Sequence, residues 1–151
     1  VKPPSGKPDH HHRVAARHEA VTACLIALRD EMVDAHPLAA RDDAWEIVLA
    51  EACTNIVEHA LAERPGAAFT LSAWLRDDAM YVRLRDRGLP MPTGYPPPPC
   101  AAPPRADTLP EGGFGWSIIG RLCRRVRFAR RAGENRLDLV IPFFAAARAR
   151  K

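Results

Sequence analysis

The sequence predicts an α+β domain, a two-layer α/β sandwich whose mixed, mostly antiparallel sheet carries helices on one face. Three observations predict it. Three stretches place apolar residues at helical spacing, five shorter ones alternate apolar with polar residues, and Asp, Gly and Pro signals punctuate the joins. At 151 residues the chain fits one domain with a real core.

The elements follow in order. Residues 1–9 are rich in Pro, Gly and Lys and are expected to be disordered, ahead of a single domain over 10–144. A short strand near His11 to Ala15 precedes a helix from about Glu19 to Ala35. Pro37 interrupts, and a second helix is expected from about Arg41 to Leu61, with Trp45, Val48, Leu49, Ala52 and Ile56 facing inward. Pro65-Gly66 turns into a strand from Ala68 to Arg76, and Asp77-Asp78 turns into another from Tyr81 to Arg85. The stretch from Pro90 to Pro110 holds nine of the fifteen prolines and reads as a stiff loop or a polyproline ligand. Beyond it come a helix from Gly115 to Arg125, strands near Val126 to Arg131 and Arg136 to Pro142, and a basic tail over 145–151.

Composition narrows the function classes. No apolar run is long enough for a membrane span and no signal-peptide core is present, so a cytoplasmic protein is expected. Cys24, Cys53, Cys100 and Cys123 are widely spaced without a Cys-x-x-Cys pair; they read as reduced thiols, not as zinc ligands. Three consecutive histidines, His10 to His12, are not a metal site by themselves. The net charge of +4 concentrates in Arg121, Arg124, Arg125, Arg127, Arg130, Arg131 and Arg136. A nucleic-acid patch and a solvated strand face both fit this run. Val126 and Phe128 alternate with the arginines and no exposed aromatics are interleaved for stacking, which favours the solvated face. Such a basic face also suits docking of an acidic protein surface.

The chemistry concentrates in three segments. Glu51, Asn55 and His59 fall four apart on a polar stripe beside the apolar face of the second helix. A carboxylate and a carboxamide one turn apart suit a hard cation or an ordered water, although a solvated face also accounts for them. Asp86-Arg-Gly88-Leu-Pro90 follows a strand, where a carboxylate beside glycine suits the amino hydrogen of a base and equally a simple turn. Glu111-Gly-Gly-Phe-Gly115-Trp116 opens the third helix, where exposed N–H groups at the positive dipole end suit phosphate. No Gly-x-x-x-x-Gly-Lys-Ser/Thr occurs, and Ile118 stands where the dinucleotide motif begun by Gly113-x-Gly115 needs its third glycine.

In this order and spacing the three segments resemble the ATP-binding boxes of the GHKL superfamily. More closely, they resemble the anti-sigma-factor serine/threonine kinases. Glu51-Ala-Cys-Thr-Asn55-Ile-Val-Glu-His59 is similar to the N box, Asp86-Arg-Gly88-Leu-Pro90-Met-Pro92 to the first glycine box, and Glu111-Gly-Gly-Phe-Gly115-Trp-Ser-Ile-Ile to the second. The run from Val126 to Ile141 resembles the closing strand pair, so the likeness spans about residues 11–143. The resemblance implies a Bergerat-type ATP-binding fold with ATP and Mg²⁺ as cofactors. It implies Asn55 as the Mg²⁺ ligand and Glu51 as the base that deprotonates a substrate serine. Asp86 would bind the adenine amino group, Gly88 and Pro90 would line the base, and the phosphate end would be Gly113, Phe114, Gly115 and Trp116. His59 matches a frequent histidine of the N box, and a packing role fits it as well. Residues 90–112 would be the ATP lid.

Two positions depart from the family pattern. Glu111 stands where a basic residue is common, with Arg105 as a candidate replacement, and Asn135 stands where a threonine is common. The implied function is an anti-sigma factor and protein serine kinase acting on an antagonist protein, with a sigma factor as second partner and a homodimer as a further option. The alternative is a nucleotide-gated partner-binding module without transfer.

Overall fold

The computed structural model describes residues 3–92 and 114–144. Five strands, β1 His10–Ala15, β2 Ala68–Leu75, β3 Ala79–Asp86, β4 Arg125–Arg131 and β5 Glu134–Pro142, form one sheet in the order β1-β2-β3-β5-β4. Every pairing is antiparallel, so among the described residues the sheet lacks the parallel component expected of a mixed one. Tight hairpins join β2 to β3 and β4 to β5, and a tight hairpin admits only antiparallel neighbours. The β4–β5 turn is Ala132-Gly133, both at positive φ (50° and 76°), the pairing that two-residue hairpins favour.

Four helices, α1 His18–Ala35, α2 Pro37–Ala40, α3 Ala44–Asn55 and α4 Phe114–Leu122, form the second layer. Strand alternation sends Phe69, Leu71 and Leu75 of β2, Met80, Val82 and Leu84 of β3, and Leu137, Leu139 and Ile141 of β5 into one core. Val21, Leu25, Leu28 and Met32 of α1 and Trp45, Val48, Leu49 and Ala52 of α3 meet them. Arg17 gives α1 no side-chain N-cap bond, a loss of about 1 kcal/mol, whereas the first N–H of α3, that of Ala44, donates to Asp42 Oδ1 at 3.0 Å. Burial of each large core side chain contributes about 1.5–3 kcal/mol, so packing decides that these helices form.

Two expectations are corrected. The second helix was expected unbroken from Arg41 to Leu61. Instead α3 ends at Asn55 and a π turn, Ile56–Ala60, follows, closed by the Leu61 N–H donating to the Ile56 carbonyl at 2.9 Å. Ile56 and Leu61 are five residues apart, which at about 100° per residue would point them to different sides of an α-helix. The i→i+5 bond stacks them, and both are buried. The second correction concerns residues 1–9, whose composition predicts disorder. From Pro3 to Asp9 the segment is described, and it is tied to the sheet. The Trp74 indole donates to the Gly6 carbonyl at 3.2 Å, and Asp9 Oδ2 accepts from the Leu75 N–H at 2.8 Å.

The three histidines lie on β1. His10 Nδ1 and His12 Nε2 stand 2.7 and 3.2 Å from one Glu31 carboxylate oxygen on α1, while His11 bonds Ser72 Oγ at 2.9 Å. No helix among the described residues is long and apolar enough to cross a membrane.

Candidate functional site

The candidate site has two parts, one where the carboxyl end of β3 meets the π turn after α3 and one where the start of α4 meets α3. Asp86 is the last residue of β3 and is 7% exposed. Its Oδ1 accepts from the Gly88 N–H and from Asn135 Nδ2, both at 2.8 Å. Asn135 is opposite Asp86 in the β3–β5 register and is 3% exposed, so the strand pairing delivers the second donor. The same Nδ2 reaches the Leu89 carbonyl at 2.7 Å. Arg130 closes the group, with Nη1 donating to Asn135 Oδ1 at 2.6 Å and to the Gly88 carbonyl at 3.0 Å.

Gly88 joins this group to the helical layer. A Cβ there would stand 2.0 Å from the Ala60 carbonyl oxygen and 2.9 Å from a Leu61 methyl. The neighbouring Leu89 N–H donates to that same carbonyl at 2.8 Å, so the loop after β3 is seated on the π turn. Glycine is required here by the backbone of the π turn itself.

At the other end, the first turn of α4 lies over α3. A Cβ on Gly115 would stand 2.7 Å from Glu51 Oε2 and 3.7 Å from Asn55 Nδ2. Glu51 is half-buried and makes no hydrogen bond or ion pair among the described residues. Asn55 Nδ2 is buried and likewise has no partner. A buried amide without a partner is costly and needs an explanation in terms of what binds it. The N–H groups of the first helical turn have no partners within their own helix and carry the positive end of its dipole. The opening of α4 therefore lies beside an acid and an amide N–H that have no partner among the described residues.

The other predicted residues are distributed as follows. His59 is exposed, and because α3 gives way to the π turn at Asn55, the strict four-residue stripe that aligned it with Glu51 and Asn55 ends there. Pro90 is exposed and follows Leu89 out of the group. Trp116 is half-buried and packs against the core beside fully buried Ile119. Phe114 opens the helix backbone of α4; its side chain lies outside the described residues, as do Gly113, Glu111, Arg105, Cys100, the 145–151 tail and nearly all of the 90–112 segment. Arg130 was missed, having been read with its neighbours as a solvated face. The signal was present, because Arg130 shares the inward parity of Val126 and Phe128 on β4, whereas Arg125, Arg127 and Arg131 take the opposite parity.

Among the described residues no group of three His, Cys, Asp or Glu is placed to hold a metal ion. Mg²⁺ does not require one, since it keeps several waters and takes one or two protein oxygens. Asn55 can supply one such oxygen through Oδ1; its unpartnered Nδ2 is a donor and suits an anionic oxygen, not a cation. Burial pushes two thiols up, Cys24 to about 11, with Glu31 adding to the effect, and Cys123 to about 12, so neither is a ready nucleophile.

Fold and site together give an α+β domain in which the Asp86 group lies against the π turn after α3 and the opening of α4 lies against Glu51 and Asn55. The chain matches the family model of the histidine kinase-like ATPase domain over residues 6–141 and belongs to that family. No curated protein matches it. Membership supports ATP binding by this chain.

Proposed function

We propose that the protein binds Mg·ATP at this site and transfers the γ-phosphoryl group to a serine of a partner protein, as an anti-sigma factor whose antagonist is the substrate. The observation that carries the reading is the Glu51 carboxylate, without a partner among the described residues, lying against Gly115 at the opening of α4. A carboxylate there is free to accept the serine hydroxyl proton at Oε2, while helix N–H groups hold phosphate oxygens. Asn55 would hold the metal through its amide oxygen, and Asp86 would accept the adenine amino hydrogen at Oδ2, which makes no hydrogen bond among the described residues. The bound Mg·ATP supplies the phosphoryl group and the charge neutralisation on which such transfers depend. The protein's part is to position and to take the proton.

Calorimetry with Mg·ATP and Mg·ADP on wild type and Asp86→Ala tests the pocket. Binding in the micromolar range that falls at least tenfold in the variant supports it. Wild type without binding sinks it. Glu51→Gln separates the kinase from a nucleotide-gated binding module, the reading favoured by Glu111 standing where related kinases carry a basic residue. In the kinase, Glu51→Gln keeps ATP affinity and loses phosphorylation of the antagonist by two orders of magnitude or more. In the module, that substitution changes neither nucleotide binding nor partner release.

A further inference from the structure

We infer that Asn135, held in one orientation by Arg130, selects adenine over guanine by occupying one oxygen of the Asp86 carboxylate. The inference rests on the nucleotide reading above and assigns the base-selecting part of that site.

A carboxylate offers two oxygens with about two lone-pair sites each. Both sites of Asp86 Oδ1 are filled, by the Gly88 N–H and Asn135 Nδ2 at 2.8 Å each. Oδ2 makes no hydrogen bond among the described residues, and the whole side chain is nearly buried. An incoming base therefore meets a single acceptor. Adenine presents one amino donor beside a ring acceptor on its pairing edge, which a lone oxygen satisfies. Guanine presents two adjacent donors, N1–H and the 2-amino group, which match a carboxylate only when both oxygens are open. Against a half-filled carboxylate one guanine donor stays buried and unpaired, and sites of this kind reject such ligands strongly.

The arrangement depends on which way the Asn135 amide points, and Arg130 decides it. A guanidinium has only donors, so its 2.6 Å contact must be to the amide oxygen. That places Nδ2 toward Asp86 and toward the Leu89 carbonyl, itself acceptor-only, at 2.7 Å. Three acceptor or donor identities agree on one orientation. Arg130 also grips the Gly88 carbonyl at 3.0 Å, keeping the Gly88 N–H aligned on Asp86. Arg130 and Asn135 are thus positioning residues that act through Asp86. Neither needs to touch the nucleotide.

The test is the ratio of Mg·ATP to Mg·GTP affinity, measured by calorimetry on wild type, Asn135→Ala and Arg130→Met, each with a thermal melt. Wild type is expected to favour ATP at least a hundredfold. Asn135→Ala opens Oδ1 and should narrow the preference at least tenfold, mainly by improved GTP binding; Arg130→Met, which frees the amide to rotate, should narrow it several-fold. If Asn135→Ala does not fold, Arg130→Met decides, because Arg130 lies on the edge strand with only part of its side chain engaged. Wild type that binds ATP while both ratios stay unchanged overturns the inference and leaves the ATP site standing. Wild type that binds neither nucleotide sinks the site reading and this inference together.

Discussion

A Cβ at Gly88 would stand 2.0 Å from the Ala60 carbonyl oxygen, and one at Gly115 would stand 2.7 Å from Glu51 Oε2, yet the two clashes differ in kind. The Ala60 carbonyl belongs to backbone and already accepts the Leu89 N–H, so it has nowhere to go. Gly88→Ala should therefore cost about 1–3 kcal/mol in urea unfolding and weaken Mg·ATP by displacing Asp86. Glu51 Oε2 is the far end of a flexible side chain that has no partner among the described residues. Gly115→Ala should leave stability unchanged or raise it by up to about 1 kcal/mol, since alanine is the better helix former. Its effect should fall on transfer, slowed at least tenfold with ATP affinity retained, because the displaced group is the proposed base. Equal losses in both variants, by unfolding or by binding, would contradict this division. At this scale the spacing of Glu51 and Asn55 and the strand-end position of Asp86 were legible. The reason for Gly88 was not, since only the fold shows that a π turn passes beneath it. Nor was the task of Arg130, whose meaning depends on strand parity and on Asn135 arriving opposite Asp86.

Helices and strands announced themselves through apolar periodicity, and most ends came within two or three residues of expectation. What periodicity did not disclose was the π turn after Asn55, whose trace in the sequence is only one five-residue step, from Ile56 to Leu61, in an otherwise helical apolar pattern. Nor did it disclose α2, a four-residue helix started by Pro37, whose packing depends on Arg29 of α1. Arg29 Nε donates to Glu46 Oε2 at 2.9 Å, Nη2 approaches Asp43 Oδ1 at 3.3 Å, and Nη1 donates to the Ala40 carbonyl. Its guanidinium also lies 5.0 Å from the centroid of the Trp45 ring, and the Trp45 indole in turn donates to the Ala39 carbonyl at 3.0 Å. One side chain thus ties α1 to α2 and to the first turn of α3. The group is partly solvated, which reduces what each ion pair contributes. Loss of the charge-assisted bonds and the ring contact together should still cost about 2 kcal/mol. In urea titration, Arg29→Ala should lower the midpoint with an unchanged slope; a midpoint equal to wild type would show that the helical layer does not depend on this tie.

At the scale of the whole molecule the two-layer plan was readable because it follows from segment order alone: strands joined by short turns must pair antiparallel, and amphipathic helices must cover the apolar side of the sheet. The three described thiols report on that covering layer from α1, from α3 and from just beyond α4. Cys53 is buried in the core, and burial drives its pKa upward most strongly, with Cys24 adding to it. Cys24 rises from an ordinary 9.0 to about 11, and Cys123 from 9.0 to about 12. A thiol whose pKa is higher folded than unfolded binds its proton more tightly in the native state. Its contribution to stability is complete below the unfolded value and disappears as pH rises through the folded one. The native state should accordingly lose stability from about pH 9 upward, through about 11 for Cys24 and about 12 for Cys123, with Cys53 ionising last. Urea midpoints from pH 8 to 11 measure this directly. Wild type should fall steadily above pH 9, and Cys53→Ala, which leaves no thiolate to form at the most buried position, should fall less steeply. A Cys53→Ala slope equal to wild type would mean that alkaline loss comes from groups elsewhere, and that the helical layer opens before its buried thiol titrates.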